Sequence, residues 1–317
     1  MMQLFRNILC PVYFDETSPA ALEYARHFAQ QGQGIVRLLH VVPTDEWHLL
    51  RKVYRPEGGG DGGADTVRAE KIAREKMHEL ARAYLSQVTH EIVTRLNSDP
   101  VAGILEAEKD LAADLVVMAT HGRTGIAHLI LGSVAEKVVR ESRCPVLTTH
   151  SKDALAATKP FQNILVPVDI SEHSVEALGY ARRIVEYSGG TVYPLHIVPT
   201  DETELLLRDV YEAREGARAN HITAEKVAGQ KLNHLAQEHL SGVRHQTELH
   251  VSGDPATTIL EVERAVGSDL LIMATHGFHG MFHLLLGSLT EKMMRESSCP
   301  VLSLRQRAEA PKRPQKN

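Results

Sequence analysis

The sequence predicts an α/β protein of two tandem doubly wound domains, each a five-stranded mostly parallel sheet with helices on both faces. Three observations carry this. Residues 119–147, ATHGRTGIAHLILGSVAEKVVRESRCPVL, return at 274–302 as ATHGFHGMFHLLLGSLTEKMMRESSCPVL, identical at 19 of 29 positions without a gap. Such a repeat in a chain of 317 residues divides it into two like units. Within each unit, short apolar runs alternate with segments of helical spacing, the pattern of successive βαβ crossovers. The run before each repeated loop, LVVM at 115–118 or LLIM at 270–273, is apolar throughout, as strands covered on both faces are.

The elements follow in order. NILCPVY at 7–13 and NILVPVD at 163–169 read as first strands, with Pro11 and Pro167 marking their ends because proline lacks an N–H for the ladder. Turn-type clusters come next, then helical spacing through Ala21, Leu22, Ala25 and Phe28, or Ala177, Leu178, Ala181 and Ile184. IVRLLHVV at 35–42 and TVYPLHIV at 191–198 read as second strands, each closed by Pro-Thr-Asp-Glu. The segment after them differs between the halves: the first carries a glycine tract at 58–63, and the second a charged stretch at 212–218. Helical spacing resumes over 66–84 and 223–240, and third strands are expected at 91–96 and 246–251. Asp99-Pro100 and Asp254-Pro255 open another helix with proline in its first turn. The fourth strand, the repeated glycine loop, a last helix and a fifth strand at 146–148 or 301–303 complete each unit. The expected divisions are a domain over 1–150, a linker over 151–160, a second domain over 161–306 and a disordered tail over 307–317.

The repeated loop is where chemistry is expected. Two glycines follow the fourth strand, and seven residues beyond the second stands a Gly-Ser, Gly132-Ser133 or Gly287-Ser288. Ser133 lies three residues before Glu136 and Ser288 three before Glu291, the spacing of a capping box. Strand, glycine loop and helix N-terminus together make an anion cradle, because backbone N–H groups and the helix dipole converge there. In open parallel sheets ligands sit outside the carboxyl ends of the strands at the topological switch point. The first-strand ends Tyr13 and Asp169 and the second-strand ends at 41–42 and 197–198 belong to that edge.

Composition sets the outer bounds. The chain has 43% hydrophobic and 24% charged residues and a formal net charge of −5, with no basic footprint for nucleic acid. Cys10, Cys144 and Cys299 form no C-x-x-C pair and read as small buried residues in a reduced compartment. No run approaches the ~20 apolar residues needed to span a bilayer. The start of the chain lacks the pattern of a signal peptide. A cytoplasmic protein without a membrane partner is expected.

Both halves resemble the universal stress protein family, and the whole chain resembles its tandem form. The family's nucleotide-binding pattern of Gly, two residues, Gly, nine residues and Gly-Ser falls on Ala119, Gly122, Gly132 and Ser133, and again on Ala274, Gly277, Gly287 and Ser288. Alanine replaces the first glycine in both copies. The resemblance implies base and ribose contacts from Pro167, Val168, Asp169 and Ile197 in the second half, and from Pro11, Val12 and Val41 in the first. Tyr13 stands where the family has a carboxylate. Arg123, beside Gly122, can pair with a phosphate, whereas the equivalent Phe278 cannot.

The resemblance therefore implies ATP or a related adenine nucleotide, with magnesium as its companion ion, held better by the second half than by the first. It also implies that the fifth strands pair with each other in an intramolecular pseudo-dimer, with a homodimer of chains as a further step. His276, His279 and His283 invite a metal reading, but Gly277 and Gly280 interrupt any helix that would align them, and no protein-held metal is expected. No nucleophile or general base is evident, so a slow ATPase is the most enzymatic form considered. The alternatives are a nucleotide-independent interaction module with structural glycine loops, and an enzyme transferring an adenylyl group.

Overall fold

The computed structural model describes residues 4–44, 62–120, 132–150, 161–169, 172–200, 221–274 and 287–305. The first half begins with β1 (Asn7–Pro11), α1 (Ser18–Gly32) and β2 (Ile35–Val42), followed by α2 (Gly62–Tyr84) and β3 (Thr89–Leu96). It continues through α3 (Pro100–Asp110), β4 (Leu115–Ala119), α4 (Ser133–Glu141) and β5 (Val146–Thr149). The second half repeats the order: β6 (Asn163–Pro167), α5 (Glu172–Ser188), β7 (Thr191–Val198), α6 (His221–His239), β8 (Arg244–His245) and β9 (Glu248–Val251). It closes with α7 (Pro255–Val266), β10 (Leu270–Ala274), α8 (Ser288–Glu296) and β11 (Val301–Leu304). Both first strands end on their proline, and Asp99 and Asp254 cap α3 and α7 by accepting first-turn N–H groups. Among the described residues, no helix is long and apolar enough to cross a membrane.

The eleven strands form one sheet in the order β3-β2-β1-β4-β5-β11-β10-β6-β7-β8, with β9 also beside β7. Among the described residues every pairing within a half is parallel, and the sole antiparallel pairing is β5 with β11 at the centre of the sheet. Successive strand residues feed opposite layers. Ile8 and Cys10 belong to the layer under α1, α2, α5 and α6, while Leu9 and Val116 belong to the layer under α3, α4, α7 and α8. Two apolar layers on one sheet are what a doubly wound α/β fold requires.

One expected strand is broken. The third strand of the second half splits into β8 and β9, although Thr191↔Arg244 and Leu195↔Glu248 keep one register. The break lies beside Pro194. The carbonyls of Val192 and Val198 accept from Gln246 N and Ser252 N, so the alternate residue Pro194 also faces the third strand, without an N–H to give it. Leu38 occupies the equivalent place in the first half, and β3 there runs unbroken for 8 residues.

The halves meet reciprocally. Leu147 lies opposite Leu302, its own equivalent, and Thr148 opposite Val301. Phe5 stacks on Tyr180 at 5.9 Å, and Phe161 on Tyr24 at 5.7 Å, the same contact made in both directions. Arg305 donates to the Glu141 and Ser142 carbonyls at the end of α4.

Candidate functional site

In each half the strand order places the switch point between the first and fourth strands. The register Ile8↔Leu115 and Leu9↔Val116 carries forward to bring Val12 level with Ala119. In the second half Leu270↔Ile164 and Leu271↔Leu165 bring Val168 level with Ala274. The pairing Pro167↔Leu195 brings Asp169 level with Ile197. The tertiary structure thus collects Pro167, Val168, Asp169, Ile197 and Ala274 along one edge of the sheet, and Pro11, Val12, Val41 and Ala119 along its counterpart.

Each first strand is held to the second beyond its formal end. Val12 N–H donates to Leu39 O at 2.9 Å and Val168 N–H to Leu195 O at 2.8 Å. His40 and His196 then donate from Nδ1 to the carbonyls of Val12 and Val168, both at 2.7 Å. A carbonyl only accepts, so the hydrogen sits on Nδ1 in both rings. Both histidines are buried. Burial pushes the His196 pKa down, the Val168 carbonyl and the Asp169 carboxylate oppose that, and the Lys231 ammonium adds to it. These two residues were absent from the sequence-derived set, although the shared pattern Leu-His-hydrophobic-Val in both second strands was available to mark them.

The phosphate side is built differently from the capping box that the spacing predicts. Gly132 and Gly287 themselves occupy the N-cap, in extended conformation at φ −62° and −60°, and neither helix has a side-chain cap hydrogen bond. Ser133 and Ser288 are instead the first helical residues, and both are exposed. Glu136 and Glu291 lie near Arg140 and Arg295 one turn on, at 3.8 and 3.6 Å, rather than reaching back to a cap. The capping box fails because glycine takes the extended position that serine would need. Among the described residues the first turns of α4 and α8 thus have no side-chain cap, and a helix N-terminus of that kind is where an anion is favoured. The mouth of the first loop is closed by Gly132 N–H donating to Thr120 O at 2.7 Å, and Thr290 Oγ1 ties α8 to Ala274 O at 3.4 Å. Gly122, Arg123 and Gly277, together with His276, His279 and His283, lie outside the described residues.

The model of the universal stress protein family matches residues 4–150 and again residues 160–305. The chain belongs to the universal stress protein family. A universal stress protein of Mycobacterium tuberculosis is 29% identical over 275 residues, spanning 85% of this chain and 86% of that one. Another from Synechocystis is 24% identical over 319 residues, 95% of this chain and all of its own length. Among solved structures, a universal stress protein from Archaeoglobus fulgidus covers 96% of this chain and 99% of its own, with a TM-score of 0.67 at 22% identity. The last likeness concerns the fold. In this universal stress protein the candidate residues of the two halves share a frame but differ in chemistry. Asp169 supplies a carboxylate at the end of β6, whereas Tyr13 supplies a phenol at the end of β1.

Proposed function

We propose that this universal stress protein binds ATP or a related adenine nucleotide at the carboxyl ends of β6, β7 and β10, and that occupancy sets its conformation or its choice of protein partner. The observation that carries the reading is the alignment of Asp169, Ile197 and Ala274 at the switch point, beside α8, whose first turn is left without a side-chain cap. In this reading the Asp169 carboxylate accepts from ribose hydroxyls or the base, Ile197 covers the base, and Gly277, Gly287 and Ser288 receive the phosphates. Magnesium would arrive with the phosphates as their counter-ion. The first half has Pro11, Val12, Val41, Ala119, Gly122, Arg123, Gly132 and Ser133 at the corresponding positions, without the carboxylate, and is the less favoured of the two. The β5–β11 pairing and the reciprocal aromatic stacks support an intramolecular pseudo-dimer acting as one cytoplasmic unit, alone or as a homodimer of chains.

Calorimetric titration of the full chain with ATP tests this. A hydrogen bond to a charged group contributes about 1.5–3 kcal/mol, so Asp169→Ala weakens binding by roughly 10- to 100-fold. Equal affinity in wild type and variant overturns the placement in the second half. Absence of binding by both favours the nucleotide-independent interaction module.

A further inference from the structure

Directly after β1 the first half carries Tyr13-Phe14-Asp15, where the second half has Asp169-Ile170-Ser171. Pro11↔Leu39 puts Tyr13 level with Val41, the place that Asp169 holds against Ile197 in the other half. Phe14 has φ 58°, the left-handed region that non-glycine residues rarely adopt, so the chain turns sharply after Tyr13. The turn lays the Phe14 ring on His40, 4.3 Å between centroids, with the Lys76 ammonium 5.4 Å from the Phe14 centroid. Asp15 Oδ1 accepts from the N–H and hydroxyl groups of Thr17 and Ser18, which fastens the turn to the start of α1.

The polar ends of this turn face inward. Among the described residues the Tyr13 hydroxyl is buried without a hydrogen-bond partner, and so is Asp15 Oδ2. Burial first, and the Asp15 carboxylate second, hold the phenol well above its ordinary pKa, so it stays neutral. Two unmatched buried polar atoms within one short turn are costly and are uncommon in folded proteins. A strained non-glycine residue between them adds to the cost. The turn is thus fastened through Asp15 Oδ1 and the Phe14 ring, and not through the Tyr13 hydroxyl.

Resting on the nucleotide reading above, we propose that the Tyr13-Phe14 turn plugs the crevice of the first half, so that each chain takes one adenine nucleotide, and that Tyr13 is the residue that sets this stoichiometry. The first half is then a closed copy of the second, which has a carboxylate at the same position.

The test is the ATP stoichiometry of the full chain, read by calorimetry. Wild type binds one equivalent, and Tyr13→Asp, which removes the ring and restores a carboxylate, binds two. Adding Asp169→Ala to Tyr13→Asp leaves one equivalent at full affinity and weakens the other by roughly 10- to 100-fold. Tyr13→Phe keeps the ring, discards the unmatched hydroxyl, stays at one and melts at or above the wild-type temperature. Two equivalents in wild type overturn the plug, as does one equivalent in Tyr13→Asp with a wild-type melting profile. If Tyr13→Asp does not fold, Tyr13→Glu, which also exchanges the ring for a carboxylate, carries the same expectation of two. Failure of wild type to bind any nucleotide overturns the nucleotide reading itself and is distinct from either result.

Discussion

Asp114 and Asp269 show how single residues fix the strand ends that the site depends on. The two carboxylate oxygens of Asp114 accept from Arg6 N at 2.8 Å and Asn7 N at 2.9 Å, and those of Asp269 accept from Gln162 N at 2.7 Å and Asn163 N at 3.0 Å. Glu108 and Glu263, both buried, hold the turn before β5 or β11 in the same way, through Arg143 N and Cys144 N or through Ser298 N and Ser297 Oγ. Ser142 Oγ and Ser297 Oγ each donate to the cysteine carbonyl two residues on, both at 2.9 Å. Much of the identity at the end of the repeated stretch is therefore structural. His196 brings a pH dependence. Its folded pKa is lowered mainly by burial, so the unfolded chain binds the proton more readily. Its contribution to stability is present above the ordinary histidine value of 6.5 and is lost as pH falls from there through the folded pKa. Urea unfolding at stepped pH should show that loss, and His196→Asn, whose amide can still donate to Val168 O, should flatten it.

At the scale of elements, the alternation of strands and helices was legible because the central parallel strands β1, β4, β6 and β10 are apolar on both faces and the helices on one. The two prolines that end β1 and β6 were legible for a local reason, the missing N–H. Pro194 carries the same chemistry with a non-local result, since its effect falls on a strand some fifty residues away. No pattern within 246–251 marks that break. Pro194→Leu, the residue that the first half has there, should supply the missing donor and join β8 to β9. The expected gain is about 0.5–1.5 kcal/mol, one net hydrogen bond. The check is a higher urea midpoint together with slowed amide exchange at position 194. The failed capping box teaches the complementary lesson: S-x-x-E at Ser133 and Ser288 specifies a helix start, but which residue becomes the N-cap depends on how the chain leaves the preceding strand.

At the scale of the molecule, the two halves form one sheet, joined by four-residue strands that would be open edges in an isolated half. The aromatic cluster on one face reinforces that seam. Phe161 contacts Tyr24, His27 and Phe28 of the other half, with centroid distances between 5.4 and 5.7 Å. It is buried, so Phe161→Ala should cost about 3–5 kcal/mol, the usual penalty for emptying an aromatic core position. Thermal unfolding should show the second half losing stability together with the first, and two independent transitions, one unchanged, would contradict a shared core.

The sequence by itself determined the repeat, the fold class, the family and the residue types available to each half, because these follow from periodicity and from spacing along the chain. It also determined that Tyr13 and Asp169 stand at equivalent positions. The tertiary structure decided what those positions mean. Only folding shows that the Tyr13 hydroxyl is buried without a partner among the described residues, that His40 and His196 pin the first strands, and that glycine rather than serine caps α4 and α8. Each of these turns on which groups reach one another across distant segments, and spacing along the chain does not encode that.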